Sequence, residues 1–309
     1  MPPKKRVATV YAPKQVALIG PTASGKSALA VELALAHNAH IFSIDSLSVY
    51  RSIDIASAKP TQEERQGVVH HGIDALDVGD YFSAYVVAQL YGEAYRAAQN
   101  ESKNLIIVGG SSFYLKALLE GLSPLPAFTL ATQERVAQSL LDLPSAYATL
   151  SQLDPKSASA IDPNDRYRIE KLLLIAFETG MAPSDYFALY PPKPLIEHLP
   201  IAALEWSRES LRERIRVRTH AMIAQGLIDE VAQLEYRYGR APIAMHAIGI
   251  IETLEYLDGK LDKAALHEAI FTHTAQLAKR QSTFNRTQFG QILHASIDDV
   301  FAYISPLLM

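Results

Sequence analysis

Five short apolar runs punctuate the chain: QVALIG (15–20), HIFSID (40–45), NLIIVGG (104–110), IAALEW (201–206) and QILHAS (291–296). Each is nearly continuous in apolar character, the pattern of a strand buried on both faces of a parallel sheet. Helical periodicities separate them, so the order reads βαβ and predicts an α/β core, a parallel sheet flanked by helices. After the fourth run, one long amphipathic stripe is expected, with Leu211, Ile215, Met222, Ile223, Leu227, Val231 and Leu234 on one face and Ser210 and Glu213 at capping-box spacing. A further helix is expected over roughly 263–284, ending in QLAKRQSTF.

Two proline-rich stretches, SPLPAF (123–128) and PPKPLIEHLP (191–200), bracket the helical patterns ATQERVAQSLLDL and RYRIEKLLLIAFETG. Exposed proline-rich linkers favour domain boundaries. The expected organisation is a core from 15–121 and 200–309, an inserted all-helical domain at 122–199 and a flexible N-terminus at 1–14. No fixed-period repeat and no low-complexity stretch is visible.

Composition narrows the classes. A 309-residue chain with 49% apolar residues is globular, and a net charge of −4 means that any nucleic-acid contact must use a local basic patch. The absence of cysteine excludes disulfides and thiolate metal sites and fits a reducing compartment. No apolar run approaches membrane-spanning length, so no membrane partner is expected. The opening MPPKKRVATVY lacks a signal-peptide apolar core, and its PKKR reads as a solvated, frayed end rather than a targeting or nucleic-acid patch.

The sharpest chemical signal is GPTASGKS at 20–27, between the first strand and an apolar helical stretch. Gly20 and Gly25 let backbone N–H groups wrap phosphate oxygens, Lys26 neutralises charge, and the Ser27 hydroxyl can ligate Mg²⁺. Gly20, Thr22, Ala23, Ser24, Gly25, Lys26 and Ser27 are therefore the candidate diphosphate-binding set. An ordinary P-loop ATPase also carries an acid at the end of an apolar strand, yet NLIIVGG ends in Gly109-Gly110-Ser111. Asp45 is the carboxylate placed at a strand end, where ligands collect. It can hold Mg²⁺ through water, take a proton from a nucleophile, or merely cap the next turn. Two readings survive: a nucleoside or metabolite kinase with Asp45 as base, or a transferase whose substrate's diphosphate is the leaving group.

Taken in order, GPTASGKS, SIDSLSVYRSIDIASAKP (43–60), HHGID (70–74), VGGSSFYLKALLEGLSPLP (108–126) and QLAKRQSTF (276–284) resemble the blocks of the tRNA dimethylallyltransferase, or tRNA isopentenyltransferase, family. The resemblance spans about residues 15 to 285. It implies transfer of a dimethylallyl group from dimethylallyl diphosphate to N6 of the adenosine 3′-adjacent to the anticodon, with Mg²⁺ as cofactor and the loop holding prenyl diphosphate rather than ATP. It implies Asp45 as general base, Arg218 as a diphosphate contact, and Ser111 in place of the threonine of the family's Gly-Gly-Thr, keeping the hydroxyl and losing the methyl. Arg214, one helical turn from Arg218, is the weaker candidate, as much a solvated helix charge as a ligand.

The resemblance further assigns tRNA contacts to Asp45, Ser46, Leu47 and Ser48 around a flipped adenosine. In the insertion, NDRYRIEK (164–171) corresponds to a segment touching the anticodon stem-loop, which nominates Arg166, Tyr167, Arg168, Ile169, Glu170 and Lys171; Lys279 and Arg280 are candidates on the later helix. Two departures from the family pattern bear on RNA contact: Ile250 and Ile251 replace an aromatic and a basic residue, and Ala275 replaces an arginine. The compact chain, without a C-terminal zinc-finger extension, suggests a bacterial, cytoplasmic monomer. A free-nucleotide prenyltransferase, a P-loop kinase and a non-catalytic RNA-binding protein are the competing readings.

Overall fold

The computed structural model of the protein describes residues 11–309; the PKKR run lies outside the described residues. In chain order come β1 (Gln15–Ile19), α1 (Lys26–Ala36), β2 (Ala39–Ser43), β3 (His70–His71), α2 (Ala84–Asn100), β4 (Asn104–Gly109) and α3 (Ser112–Glu120). Helices α4 (Leu130–Ser139), α5 (Leu143–Leu153) and α6 (Arg166–Thr179) follow. The chain then runs through β5 (Ile201–Leu204), α7 (Arg208–Ala224), α8 (Leu227–Tyr238), α9 (Lys263–Gln288), β6 (Leu293–Ala295) and α10 (Ile297–Leu308). Shorter helical turns connect some of these elements.

The strands form one sheet in the order β3-β2-β4-β1-β5-β6. Every pairing is parallel, with Ala17 level with Ile107 on one side and Ile201 on the other. Alternate residues of the central strands enter two apolar layers. Val16, Leu18, Ile106 and Val108 pack with Leu29 and Leu33 of α1 and Val300 and Ile304 of α10. Ala17, Ile19, Leu105 and Ile107 pack with Val87 and Tyr91 of α2 and Leu115 and Leu118 of α3. Helices on both faces explain why these strands read as continuous apolar runs, and each fully buried Leu or Ile contributes roughly 1.5–3 kcal/mol. The α/β class expected from the pattern is the one observed.

Two local expectations are corrected. The stripe from 208 to 238 is two helices, parted at Gly226, whose φ of +104° few side chains tolerate. The first of them is capped by Ser207, whose Oγ accepts from Ser210 N at 3.1 Å, and not by Ser210. Beyond the break, Leu227, Val231 and Leu234 turn into a separate cluster with Val49, Ile53 and Val78. Strand β3, only His70 and His71 and half-buried, had no apolar run to announce it.

The chain forms two compact units, one running up to Leu119 and resuming at Ile196, the other Glu120–Leu195. The second unit is helical, with its own core of Val136, Leu140, Leu150, Ile169 and Leu173.

Candidate diphosphate site and adenosine pocket

The site grows from the C-terminal edge of the sheet. Leaving β1, the chain passes through Ala23 at φ +63° and Gly25 at φ +91° before α1 begins at Lys26. The first N–H groups of a helix have no intrahelical acceptor, and the helix dipole adds partial positive charge there. A strand, a glycine turn and an eleven-residue helix thus leave an anion-binding end at 25–28.

Two cations and one carboxylate surround this end. Lys26 Nζ folds back to donate to Pro21 O at 3.1 Å. Burial lowers its ammonium to about 8; Asp45 opposes the shift and Arg218 adds to it. Arg218, from α7, donates from a guanidinium nitrogen to Thr22 Oγ1 at 3.1 Å, and burial pulls its pKa down while Asp45 pulls it up. Asp45 is therefore in the field of both cations, and an incoming anion favours the charged form of each.

Two further residues grip the loop. The indole Nε1 of Trp206 donates to Ser24 O at 2.9 Å. Arg214 Nε donates to Ala23 O at 2.7 Å, with its guanidinium 4.4 Å from the Trp206 ring centroid. Arg214, although exposed, is thus a contact of the loop. Trp206, the chain's single tryptophan, was missed; its signal was its place just beyond β5, on the ligand-collecting edge. Gln281, within QLAKRQSTF, carries no local signal of a role, yet its Oε1 accepts from Thr22 N at 2.8 Å.

Asp45 lies two residues beyond β2. Its Oδ1 accepts from Leu47 N at 2.9 Å and Ser48 N at 3.1 Å, so the carboxylate does cap the following turn. The other oxygen has no hydrogen-bond partner among the described residues. Ser111, after the Gly109-Gly110 turn, donates to Ser46 Oγ at 3.4 Å, which brings two of the nominated positions together. Ser48 is buried and accepts on its carbonyl from Asp74 N at 3.2 Å.

The blocks DIASAKP and HHGID turn out to be scaffold. Lys59, buried, donates from Nζ to Tyr50 O at 2.9 Å, to Asp54 Oδ1 at 2.6 Å and to Asp74 Oδ1 at 2.6 Å. Glu230 of α8 accepts from the backbone N–H groups of Asp54, Ile55 and Ala56 at 3.0, 2.7 and 2.9 Å. Together these hold the segment that leads out of Asp45–Ser48.

The nominated RNA contacts divide between the two units. On α6, in the second unit, Tyr167 and Arg168 are exposed, Arg168 pairs with Asp165, and Lys171 pairs with Glu170 at 3.0 Å. Arg166 donates to Leu140 O at 2.7 Å. Ile169 is a correction: its side chain is fully buried in that unit's core, because it occupies the inner face of α6. In the first unit, Lys279 and Arg280 are exposed on α9, lining an open groove of about 520 Å³ with Phe284 and Thr287. Ile250 is core, while Ile251 is 38% exposed. Ala275, half-buried, packs beside Leu211, Ile215 and Phe271. Among the described residues, no helix is long and apolar enough to cross a membrane.

The family model for IPP transferase matches residues 48–288. The tRNA dimethylallyltransferase of Sulfurovum sp. is 51% identical over 288 residues, covering 93% of this chain and 96% of that protein. The crystal structure of the tRNA isopentenylpyrophosphate transferase of Bacillus halodurans superposes with a TM-score of 0.69 at 29% identity, covering 96% of each chain. A eukaryotic dimethylallyltransferase acting on tRNA gives a TM-score of 0.80 at 28% identity, over 94% of this chain and 76% of that one. With the family match extending over most of the chain and half its residues shared with such a relative, this chain belongs to the IPP transferase family.

Proposed function

We propose that the chain transfers the dimethylallyl group of dimethylallyl diphosphate to N6 of the adenosine 3′-adjacent to the anticodon of tRNA, releasing diphosphate. The observation that carries the reading is Asp45 in the field of both Lys26 and Arg218, at the mouth of a phosphate loop. In the transfer, N6 attacks the allylic carbon, the carbon–oxygen bond breaks, and the electron pair leaves with diphosphate. The amine becomes acidic as the new bond forms, and Asp45 takes its proton, a modest base sufficing for that moment. Lys26, Arg218 and the N–H groups at 25–28 take up the charge on the leaving group. The adenosine is unstacked to reach the pocket, where Ser46 and Ser111 offer hydroxyls to its edge.

Mg²⁺ fits the donors present. Ser27 and Asp45 are hard oxygen ligands at the loop, and among the described residues no cluster of three His, Cys, Asp or Glu forms a cage. An ion that keeps its waters and binds substrate phosphates needs no such cage. When bound it supplies further neutralisation of the diphosphate. In this reading the segment at 122–199 meets the anticodon stem-loop through Tyr167, Arg168 and Lys171, Lys279 and Arg280 add phosphate contacts, and the enzyme works as a cytoplasmic monomer.

Transfer of labelled dimethylallyl to unmodified tRNA, with Mg²⁺ and without ATP, tests this against AMP as acceptor. Label should enter tRNA alone. The Asp45→Asn variant keeps an acceptor for the Leu47 and Ser48 N–H groups and should lower kcat by about 10²–10⁴-fold with pyrophosphate affinity retained. Label in AMP alone, or ATP consumption with no label, would overturn the reading.

A further inference from the structure

Thr22 is held from two helices at once. Its N–H donates to Gln281 Oε1 of α9 at 2.8 Å, and its hydroxyl accepts from Arg218 of α7 at 3.1 Å. The other end of the same carboxamide sits over the glycine turn after β4. A Cβ at Gly110 would lie 2.6 Å from Gln281 Nε2, and Gly110 is followed by Ser111, which reaches Ser46. One side chain therefore touches both halves of the site, the loop for the diphosphate and the turn beside the Asp45–Ser48 segment. Its neighbours Lys279 and Arg280 face the groove on the same helix.

We propose that Gln281 is a positioning residue for the transfer, fixing Thr22, and through it Arg218, relative to the Gly110–Ser111 turn, and that Gly110 is glycine because this carboxamide needs its space. The inference rests on the prenyl-transfer reading. Displacing Gln281 leaves the charges of the site in place but frees the distance between leaving group and base. Misplacement on the scale of an ångström costs rate far more than binding.

The experiment compares Gln281→Met, Gly110→Ala and the double variant with the unaltered protein. Steady-state kcat and KM are taken for dimethylallyl diphosphate and tRNA, pyrophosphate affinity by calorimetry, and thermal midpoints in parallel. Gln281→Met keeps the bulk and loses the acceptor, and should lower kcat about 10- to 100-fold with KM for tRNA nearly unchanged. Gly110→Ala should push the carboxamide away and reproduce that loss. The double variant should fall no further than either single change, the mark of one shared contact. Midpoints should stay close to that of the unaltered protein, which a merely structural role would not allow. Losses that multiply in the double variant, or midpoints that fall in step with kcat, would overturn the positioning role while transfer by the unaltered protein still stands. No pyrophosphate binding and no transfer by the unaltered protein would overturn the functional reading and this inference with it.

Discussion

Lys26 is the residue on which the electrostatics of the site turn. Burial holds its ammonium at about 8, against 10.5 in an unfolded chain. Between those values the unfolded state binds more protons than the folded one, so on this residue's account the empty protein gains stability as pH rises through that window. Diphosphate reverses the preference, because an anion beside the ammonium favours its charged form. Pyrophosphate affinity should therefore be highest below pH 8 and fall as pH rises through it. Binding above pH 8 should take up a proton, seen calorimetrically in buffers of different ionisation enthalpy. The Lys26→Met variant should bind weakly with a flat profile, and a flat profile in the unaltered protein would remove Lys26 from this role. Arg218, although half-buried, keeps its charge throughout because a guanidinium does not titrate in this range.

At the scale of elements, the segment from Asp45 to Lys59 has little regular structure and depends on polar clamps. Lys59 ties Tyr50, Asp54 and Asp74 together, and Asp74 N in turn donates to Ser48 O. Glu230, from the helix beyond the break at Gly226, fixes the backbone at 54–56. Replacing Lys59 by Met should cost roughly 2 kcal/mol, the scale of a hydrogen bond to a charged group, since Asp54 and Asp74 retain access to water. It should also lower kcat, as the Asp45–Ser48 turn loses its backing. Urea unfolding and steady-state transfer read both effects, and a Lys59→Met protein with unchanged stability would show that the clamp is ornamental. The physical work of DIASAKP and HHGID lies in these clamps, which local sequence pattern does not reveal. Their residues bond to one another.

For the whole molecule, the division into two units separates two kinds of failure. Ile169 fills the core of the helical unit. The Ile169→Ala change should cost about 2–5 kcal/mol within that unit through the cavity it leaves. Transfer to tRNA should fall, while pyrophosphate affinity, which belongs to the sheet-based unit, should hold. Equal loss of both would show that the units do not unfold separately.

What the sequence determined by itself was everything carried by local pattern. Continuous apolar runs dictated strands buried on both faces, GPTASGKS dictated the anion-binding turn between strand and helix, and the placement of Asp45 at a strand end put a carboxylate on the same edge. These features need only neighbours in sequence. Tertiary structure decided the rest, because the rest depends on which distant residues share a few ångströms. Arg214 looked like any helix charge until Trp206 and Ala23 O met it, and Gln281 had no visible role until Thr22 and Gly110 closed around it. Ile169 shared its polar-looking stretch with exposed neighbours, and only the packing of α6 turned it inward. A side chain's chemistry is written in the sequence, but its partners are set by the fold that brings them within hydrogen-bonding distance.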